Sequence, residues 1–275
     1  MNVFMVGGTG FLGYHTIREL LARSHGVSTV ALPPMPAPGL LPTEVECRLG
    51  DIFRMPDREV LSILEGREGF LYAAGLDDRV ILDKPAYPKF REANVDQCMR
   101  LIRLARKAGV KRVVVYGSYF TYCDRMWPDL ALTEKHCYIR SRKEQLDAAL
   151  GESGGGMDIV VLELPYIFGT MPGRVPLWTF LLDILRGMGR TVFYPQKSGG
   201  TAMVTVSQVA KAAAGALERD TGGASYPIGG TNMPWSEFIP LLLDAMGSDA
   251  KVVHLPKILY KLGNLPMAID HAMRG

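Results

Sequence analysis

The stretch VGGTGFLG at residues 6–13 constrains the fold more than any other part of the chain. It follows an apolar run at 2–6 and opens a segment with the three-to-four spacing of a helix. Gly7 permits a tight turn, Gly10 lets the backbone approach a pyrophosphate, and Gly13 lets the helix pack closely on the strand. A phosphate would lie at the positive end of that helix. The stretch therefore predicts dinucleotide binding, and the alternative is a tight βα turn without a ligand.

Short apolar runs alternate with helical patterns through the first two thirds of the chain. This alternation predicts an α/β fold of the Rossmann type, a doubly wound parallel sheet with helices on both faces. The predicted strands are NVFMV (2–6), VSTVAL (27–32), VECRL (45–49), GFLYAA (69–74), RVVVYG (112–117) and DIVVLEL (158–164). The predicted helices cover 11–23, 56–66, 90–109 and a stretch that opens at Tyr138.

The rhythm changes after Pro165, where a loop rich in proline and glycine is followed by more helices. We predict a dinucleotide-binding Rossmann domain over residues 1–165 and mainly a substrate-binding lobe over 166–275. Within that lobe, the strand and helix at 201–220 are expected to return to the Rossmann core. The helices predicted there are near 177–187, at 207–220, and at 235–247 with Ser236 or Thr231 as the cap.

The composition, 48% hydrophobic and 21% charged over 275 residues, suits a soluble globular protein with a sizeable core. Lys and Arg number 31 against 28 Asp and Glu, and this small excess indicates neither nucleic acid nor a membrane as partner. No apolar run reaches the roughly 20 residues that a membrane span needs. The N-terminal MNVFMVGG lacks the features of a signal peptide and is predicted to be a strand.

Cysteine and histidine usage indicates a cytoplasmic protein without a metal site. The four cysteines, Cys47, Cys98, Cys123 and Cys137, form no C-x-x-C pair, which is typical of reduced thiols in the cytosol. The five histidines form neither an H-x-x-H nor an H-E-x-x-H pattern. The expected partner is therefore a small molecule.

Several motifs, in order along the chain, resemble the extended short-chain dehydrogenase/reductases, the NAD-dependent epimerase/dehydratase family. They are GGTGFLG, LGDIF after the third strand, LYAAG after the fourth, REANVDQC, RKAGVKRVVVYGS, and LELPYIFG after the sixth. The resemblance implies NAD or NADP as cofactor, with Asp51 beside the adenine and Asn94 near the active-site helix. The cofactor-binding residues that it implies are Gly7, Gly10, Phe11, Leu12, Gly13, Asp51, Ile52, Ala73, Ala74, Gly75, Asn94, Pro165 and Ile167.

The resemblance also implies three catalytic residues, Ser118, Tyr138 and Arg142. The family carries Y-x-x-x-K, and here residues 138–142 read YIRSR, so that Arg142 stands where the family has lysine. By the resemblance, the tyrosine exchanges a proton with the substrate oxygen and the serine hydrogen-bonds that oxygen. Arginine keeps the positive charge that favours a tyrosinate, but it does not give up a proton at working pH.

Other roles for these residues stay open at the level of sequence. Lys143 lies about 100° further round a helix and would face Tyr138 only if the helix began irregularly. Tyr138 would otherwise be a structural residue near a helix N-terminus, with RSRK as a solvated basic patch. Ser118 would otherwise be a strand-end hydroxyl bonded to backbone.

Departures from the family pattern bear on substrate and cofactor. Nucleotide-sugar members carry an arginine before the late helix, whereas this chain has Thr201, Ala202 and Met203 there. This weakens a nucleotide-sugar substrate without excluding it. The second strand ends VALPPMP, with neither the acid that suits NAD nor an arginine that suits NADP. Since the missing acid removes a barrier to a 2′-phosphate, NADP is favoured slightly.

The sequence therefore predicts an NAD(P)-dependent oxidoreductase, or an epimerase or dehydratase, that acts at a carbinol or carbonyl carbon of a small molecule, such as a sugar derivative. The alternative is a regulatory or RNA-binding protein of the same fold that binds the cofactor with little catalysis. The resemblance further implies a homodimer through the helices at 88–107 and 138–150.

Overall fold

A computed structural model describes residues 1–195, 199–219 and 221–255. The strands are β1 (Asn2–Val6), β2 (Gly26–Ala31), β3 (Glu46–Leu49), β4 (Gly69–Tyr72), β5 (Arg112–Ser118), β6 (Asp158–Leu164), β7 (Tyr166–Phe168), β8 (Thr191–Pro195), β9 (Gly200–Thr205), β10 (Ala224–Pro227), β11 (Thr231–Pro234) and β12 (Lys251–Leu255). The α-helices are α1 (Phe11–Ala22), α2 (Asp57–Leu64), α3 (Ala86–Arg91), α4 (Gln97–Lys107), α5 (Tyr119–Met126), α6 (Leu132–Lys135), α7 (Cys137–Gly151), α8 (Thr179–Gly187), α9 (Val206–Arg219) and α10 (Trp235–Ala245).

Seven strands form a parallel sheet in the order β10-β6-β5-β4-β1-β2-β3. From β1 the chain builds outward in both directions, to β2 and β3 on one side and to β4, β5 and β6 on the other. In sheets of this kind, ligands bind beyond the carboxyl ends of the strands, where the order reverses. The predicted Rossmann-type α/β fold is confirmed.

Strand β1 shows why the sheet is buried on both faces. All of its residues from Val3 to Val6 are at most 2% exposed. Because successive side chains point to opposite faces, Phe4 and Val6 join the apolar cluster with α4 and α7. Val3 and Met5 join the opposite cluster with α1 and α9. A strand enclosed by helices in this way is apolar throughout, without alternation.

The predicted elements agree closely in the sheet and less well in the helices. Both ends of every predicted strand lie within two residues of the ends of the corresponding observed strand. The helix predicted over 90–109 is present within a continuous helical stretch over 86–107, but it is not regular, since a π-helical segment, Glu92–Asp96, joins α3 to α4. The predicted cap of the last helix is wrong, because Pro234 is the cap of α10 and Thr231 begins β11.

Beyond β6, the chain builds two smaller sheets, one in the order β11-β9-β7 and one that pairs β12 with β8. Strand β10 lies beside β6 in the large sheet, and α9 packs in the same apolar cluster as α1. The division at residue 165 stays a prediction, and Asp220 and residues 256–275 of the predicted lobe lie outside the described residues. None of the helices in the described ranges has the length and apolarity needed to cross a bilayer.

Candidate active site

A cavity of about 1130 Å³ lies at the carboxyl ends of β1, β4, β5 and β6. Two of its walls differ in composition. The glycine wall is formed by Gly7 and by residues 10–13 and 73–75. The aromatic wall is formed by Trp127, Tyr166, Trp178, Phe180 and Trp235.

The turn of the glycine wall is closed by contacts that leave no room for side chains. Gly7 has φ +84°, and a Cβ there would lie 2.4 Å from the Ala73 carbonyl oxygen. A Cβ on Gly13 would lie 2.1 Å from the Gly7 carbonyl oxygen. Both positions therefore require glycine if α1 is to pack this closely on the turn.

The outer side of the same turn is open. A Cβ on Gly10 would meet only the Gly7 carbonyl oxygen, at 3.1 Å. Gly10 is the cap of α1 and offers no side chain to the first turn, so the first N–H groups of the helix have no side-chain cap. Free N–H groups at the positive end of a helix form an anion site. The glycine wall thus fits the pyrophosphate of a dinucleotide.

The other residues predicted to bind the cofactor divide into two groups. The cavity lining includes Phe11, Leu12, Ala73, Ala74, Gly75, Pro165 and Ile167. It does not include Asp51 or Ile52, which follow β3 at the same edge of the sheet. The Asp51 carboxylate accepts a hydrogen bond from the Phe53 N–H at 3.1 Å, and the Ile52 side chain is buried in the core. Their contact with the adenosine end stays a prediction.

Asn94 lies behind the cavity and supports the loop at Gly75. Its side chain accepts a hydrogen bond from the Leu76 N–H at 2.8 Å and donates one to the Leu76 carbonyl at 3.1 Å. Its amide nitrogen also lies 3.1 Å from the Ser141 hydroxyl on α7. Asn94 belongs to the π-helical segment, a type of distortion that is frequent at functional sites. It therefore ties the loop after β4 to the helix that carries Tyr138.

Ser118 ends β5 and caps α5. Its hydroxyl accepts a long hydrogen bond, 3.4 Å, from the Phe120 N–H, so the structural role foreseen for a strand-end hydroxyl is present. Ser118 also lines the cavity, and its hydroxyl hydrogen is not used by that bond. The residue can therefore donate a hydrogen bond to a ligand while it caps the helix.

Tyr138 lies in the first turn of α7 and is 7% exposed. Its ring packs edge-on against Phe90 and Phe120, at centroid distances of 5.7 and 6.4 Å. Tyr138 lines the cavity, and its hydroxyl is not among the fully buried polar atoms without a partner. The ring is thus held by apolar neighbours, and Tyr138 and Ser118 line the same cavity.

Arg142 is buried beside Tyr138, one helical turn further along α7. Its Cζ lies 6.0 Å from the centroid of the Tyr138 ring. One terminal nitrogen donates a hydrogen bond to the Tyr116 carbonyl at 2.5 Å, and Nε has no partner. The other terminal nitrogen would lie 3.3 Å from a Cβ on Gly75, so the guanidinium uses the space that this glycine leaves. The structure therefore places a fixed positive charge next to the tyrosine.

Lys143 does not take part in this arrangement. Helix α7 begins regularly at Cys137, and the Lys143 ammonium is 2.5–2.6 Å from the Asp147 carboxylate. Lys143 is also not among the residues that line the cavity. Of Arg142 and Lys143, Arg142 is therefore the residue that lines the cavity.

The loop after β4 brings three charged residues to the cavity that the sequence reasoning missed. Asp77, Asp78 and Arg79 line it, and Arg79 forms an ion pair with Asp77. Burial raises the pKa of Asp77, but hydrogen bonds from Arg79 outweigh this and hold the pKa below its ordinary value. Burial and the charge of Asp78 raise the pKa of Tyr166. Their position after a strand of the parallel sheet was the available signal.

An ion pair between Glu163 and Arg125, close to Ser118, was also missed by the sequence reasoning. The Glu163 side chain is fully buried on β6, and Arg125 of α5 donates to both of its oxygens at 2.8 and 2.6 Å. The Thr121 hydroxyl lies 2.5 Å from the same carboxylate and 2.6 Å from the Ser118 carbonyl. The pair therefore fixes the start of α5 against β6. A charged residue within an apolar strand was the signal, since such a residue needs a partner.

Comparison with known proteins agrees with this geometry. The sequence of residues 3–176 matches the NAD dependent epimerase/dehydratase family. A 4-hydroxy-2-methyl-3-oxo-4-farnesyl-3,4-dihydroquinoline-1-oxide ketoreductase from Stigmatella aurantiaca is 26% identical, with 93% of this chain and 76% of that protein covered. Sterol demethylase protein B from Methylococcus capsulatus (strain Bath) is 24% identical, with 93% of this chain and 78% of that protein covered.

Among solved structures, a double mutant of DesIV, a dTDP-glucose 4,6-dehydratase from Streptomyces venezuelae with NAD bound, is similar with a TM-score of 0.71. The two chains are 21% identical, and the match covers 94% of this chain and 85% of that one. At this level of identity, the likeness shows a common fold.

Proposed function

The chain belongs to the NAD-dependent epimerase/dehydratase family, and we propose that it is an NAD(P)-dependent oxidoreductase that interconverts a secondary alcohol and a ketone in a small molecule. The observation that carries this proposal is that Ser118, Tyr138 and Arg142 line the same cavity as the glycine wall. A dinucleotide on that wall and a substrate oxygen near Tyr138 would thus share one enclosed space.

Each of the three residues has a distinct chemical role in the proposed reaction. When bound, the nicotinamide ring supplies or accepts the hydride. Tyr138 gives a proton to the substrate oxygen or takes one from it, and Ser118 donates a hydrogen bond to the same oxygen. Arg142, with Cζ 6.0 Å from the centroid of the Tyr138 ring, provides a positive charge beside the tyrosine. Because a guanidinium keeps its proton at working pH, Arg142 acts by its charge and does not relay protons.

One observation favours simple oxidoreduction over elimination of water: one of the two similar proteins reported above is named as a ketoreductase. Epimerisation, which would need the same Tyr138, is the second candidate.

The choice between NAD and NADP rests on the end of β2. The chain continues there with Leu32, which is 64% exposed, and with two prolines, so no carboxylate meets the ribose hydroxyls at this point. A 2′-phosphate would encounter no like charge from these residues, which favours NADP. A homodimer through α4 and α7 and a cytoplasmic location stay predictions.

Calorimetric titration with NAD, NADH, NADP and NADPH tests the proposal first. Submicromolar to micromolar binding of at least one is expected, and no binding at millimolar concentration would overturn it. The cofactor that binds is then used in spectrophotometric assays with a panel of secondary alcohols and ketones. Tight cofactor binding with no hydride transfer to any of them would favour the binding-protein alternative.

A further inference from the structure

Within the aromatic wall, a connected cluster of rings is formed by Tyr166, Trp178, Phe180 and Trp235. Trp178 lies at its centre, with centroid distances of 4.7 Å to Tyr166 and 5.8 Å to Phe180. Behind these rings, Phe168 stacks on Trp178 at 4.8 Å and an interplanar angle of 17°. Trp235 lies 5.9 Å from Tyr166. Rings packed in this way are held in place by one another and offer a preformed apolar surface.

One polar atom of this wall, the Trp178 indole N–H, is used within the protein. It donates to the Ile167 carbonyl at 2.9 Å, so this indole presents only carbon to the cavity. On the neighbouring strand β9, the cavity is lined by Gly200, Thr201 and Ala202. The Thr201 hydroxyl lies 3.2 Å from the Ala202 carbonyl. A ligand at Trp178 therefore meets an apolar surface.

The charges of the cavity do not suit an anionic substrate. Among the lining residues that the structure describes, the cations are Arg79 and Arg142. Arg79 is paired with Asp77, and Arg142 is bonded to the Tyr116 carbonyl. Two acids, Asp77 and Asp78, balance the two cations. A diphosphate placed against the aromatic wall would lose its hydration without a cation to replace it.

The mouth of the cavity is apolar as well. Met126, Trp127, Leu177 and Phe180 line the cavity and are each between 42% and 56% exposed. Large apolar side chains gathered at an opening mark a binding surface more often than chance exposure does. A molecule that leaves water poorly would gain free energy at this rim before it reaches Tyr138.

We propose that the substrate is a neutral, largely apolar ketone or alcohol whose reacting carbon is a saturated ring position of a fused ring system. The ring system packs against Trp178 and Tyr166, and the oxygen is directed to Ser118 and Tyr138. This inference rests on the proposed function, because it names the substrate class for the same site. It also places nucleotide sugars outside the substrate range of this chain.

The experiment compares two substrate classes on the protein with its bound cofactor. The apolar probes are 1-tetralone, 2-decalone and a steroid ketone, and the polar probes are UDP-glucose and dTDP-glucose. Binding is followed by quenching of tryptophan fluorescence, and turnover by nicotinamide absorbance. We expect the apolar ketones to bind at least tenfold more tightly than either nucleotide sugar.

Variants then locate the binding surface. Trp178→Ala should weaken binding of the apolar ketones about tenfold, and Trp178→Phe should restore most of it, since phenylalanine keeps an aromatic ring against the ligand. Phe180→Ala, at the exposed rim, provides a second test if Trp178→Ala is poorly folded. Leu241→Ala, an exposed apolar residue of α10 outside the cavity lining, is the control and should change nothing.

Tighter binding of a nucleotide sugar, or equal binding by the wild type and the Trp178 and Phe180 variants, would overturn the inference about the substrate. Both results leave the proposed oxidoreductase function intact, because cofactor binding is measured separately. Failure of every NAD(P) titration would instead overturn the proposed function itself.

Discussion

The glycine wall and the aromatic wall fit their proposed ligands, the dinucleotide and the substrate, in opposite ways. The glycine wall depends on atoms that are absent, since a Cβ on Gly13 would lie 2.1 Å from the Gly7 carbonyl oxygen. The aromatic wall depends on large side chains that touch one another, such as Tyr166 and Trp178 at 4.7 Å. A substitution in the first wall acts on the backbone and should have a large effect on the whole site. A substitution in the second removes contact area and should act by degrees.

Tyr138 lies between the two walls, and its removal should have the largest effect on the reaction. The change Tyr138→Phe removes only the hydroxyl, which makes no hydrogen bond within the described part of the chain. General acid–base catalysis of this kind contributes about 10²–10⁴-fold, so kcat should fall by that factor while cofactor affinity and Tm stay unchanged. Single-turnover kinetics with the best substrate provides the measurement.

Tyr122→Phe is the matched control, because Tyr122 lines the same cavity without a role in the proposed reaction. An unchanged rate for Tyr138→Phe would make Tyr138 a structural residue of α7. The two walls would then line one cavity without Tyr138 as its acid–base residue.

The ion pair between Arg125 and Glu163 should show the next largest effect, and the effect should be asymmetric. Arg125→Met leaves the fully buried Glu163 carboxylate without its cation. Such a loss costs about 3–5 kcal/mol in a pair that is buried on both sides, and the cost here should lie at the lower end of that range because Arg125 is partly solvated. Glu163→Gln leaves Arg125, whose side chain is 39% exposed and can be hydrated, so the loss should be about 1 kcal/mol. Urea unfolding of both variants measures the difference. Equal losses of unfolding free energy in the two variants would show that burial of Glu163 does not determine the cost.

The glycine wall can be divided by two alanine substitutions. Gly13→Ala puts a Cβ against the Gly7 backbone and should destabilise the fold by about 1–3 kcal/mol, the usual range for overpacking. Gly10→Ala meets only one atom, at 3.1 Å, and should leave Tm nearly unchanged. Its methyl group would instead occupy the open side of the turn and weaken cofactor binding. Thermal unfolding and calorimetry separate these outcomes, and a large loss of Tm in Gly10→Ala would contradict them.

The same contrast explains which parts of the site the sequence could predict. The turn of the glycine wall was predictable because a continuous stretch, residues 6–13, contains it. The order of motifs along the chain made it possible to pick out Ser118, Tyr138 and Arg142. That the three line one cavity is visible only in the folded structure. The fold followed from strand–helix alternation, which is also a local pattern.

The aromatic wall and the π-helical segment were not predictable in this way. Tyr166 and Trp178 lie close together in the chain, but Trp127 and Trp235 reach the cavity only through folding. The π-helical segment at Asn94 is stabilised by hydrogen bonds to Leu76 and Ser141, which are distant in the sequence. Helical periodicity does not reveal such partners, so it predicted a regular helix.

Arg142→Lys should have the smallest effect, and it tests how the charge beside Tyr138 acts. Lysine keeps the charge, removes the unpartnered Nε, and gives up the bond to the Tyr116 carbonyl. If the charge alone matters, kcat should be kept or raised. Arg142→Met removes the charge, and a unit charge at about 6 Å is worth on the order of 2–3 kcal/mol at an effective dielectric constant of about 20, or roughly 30- to 150-fold in rate.

The pH profile of kcat separates charge from packing in these variants. If Arg142 acts by its charge, Arg142→Met should change the pH profile of kcat, whereas Arg142→Lys, which keeps the charge, should preserve it. If both variants lose the same activity with an unchanged profile, Arg142 holds the Gly75 loop by packing and makes no electrostatic contribution. The dependence on fixed geometry that marks the glycine wall would then extend as far as Tyr138.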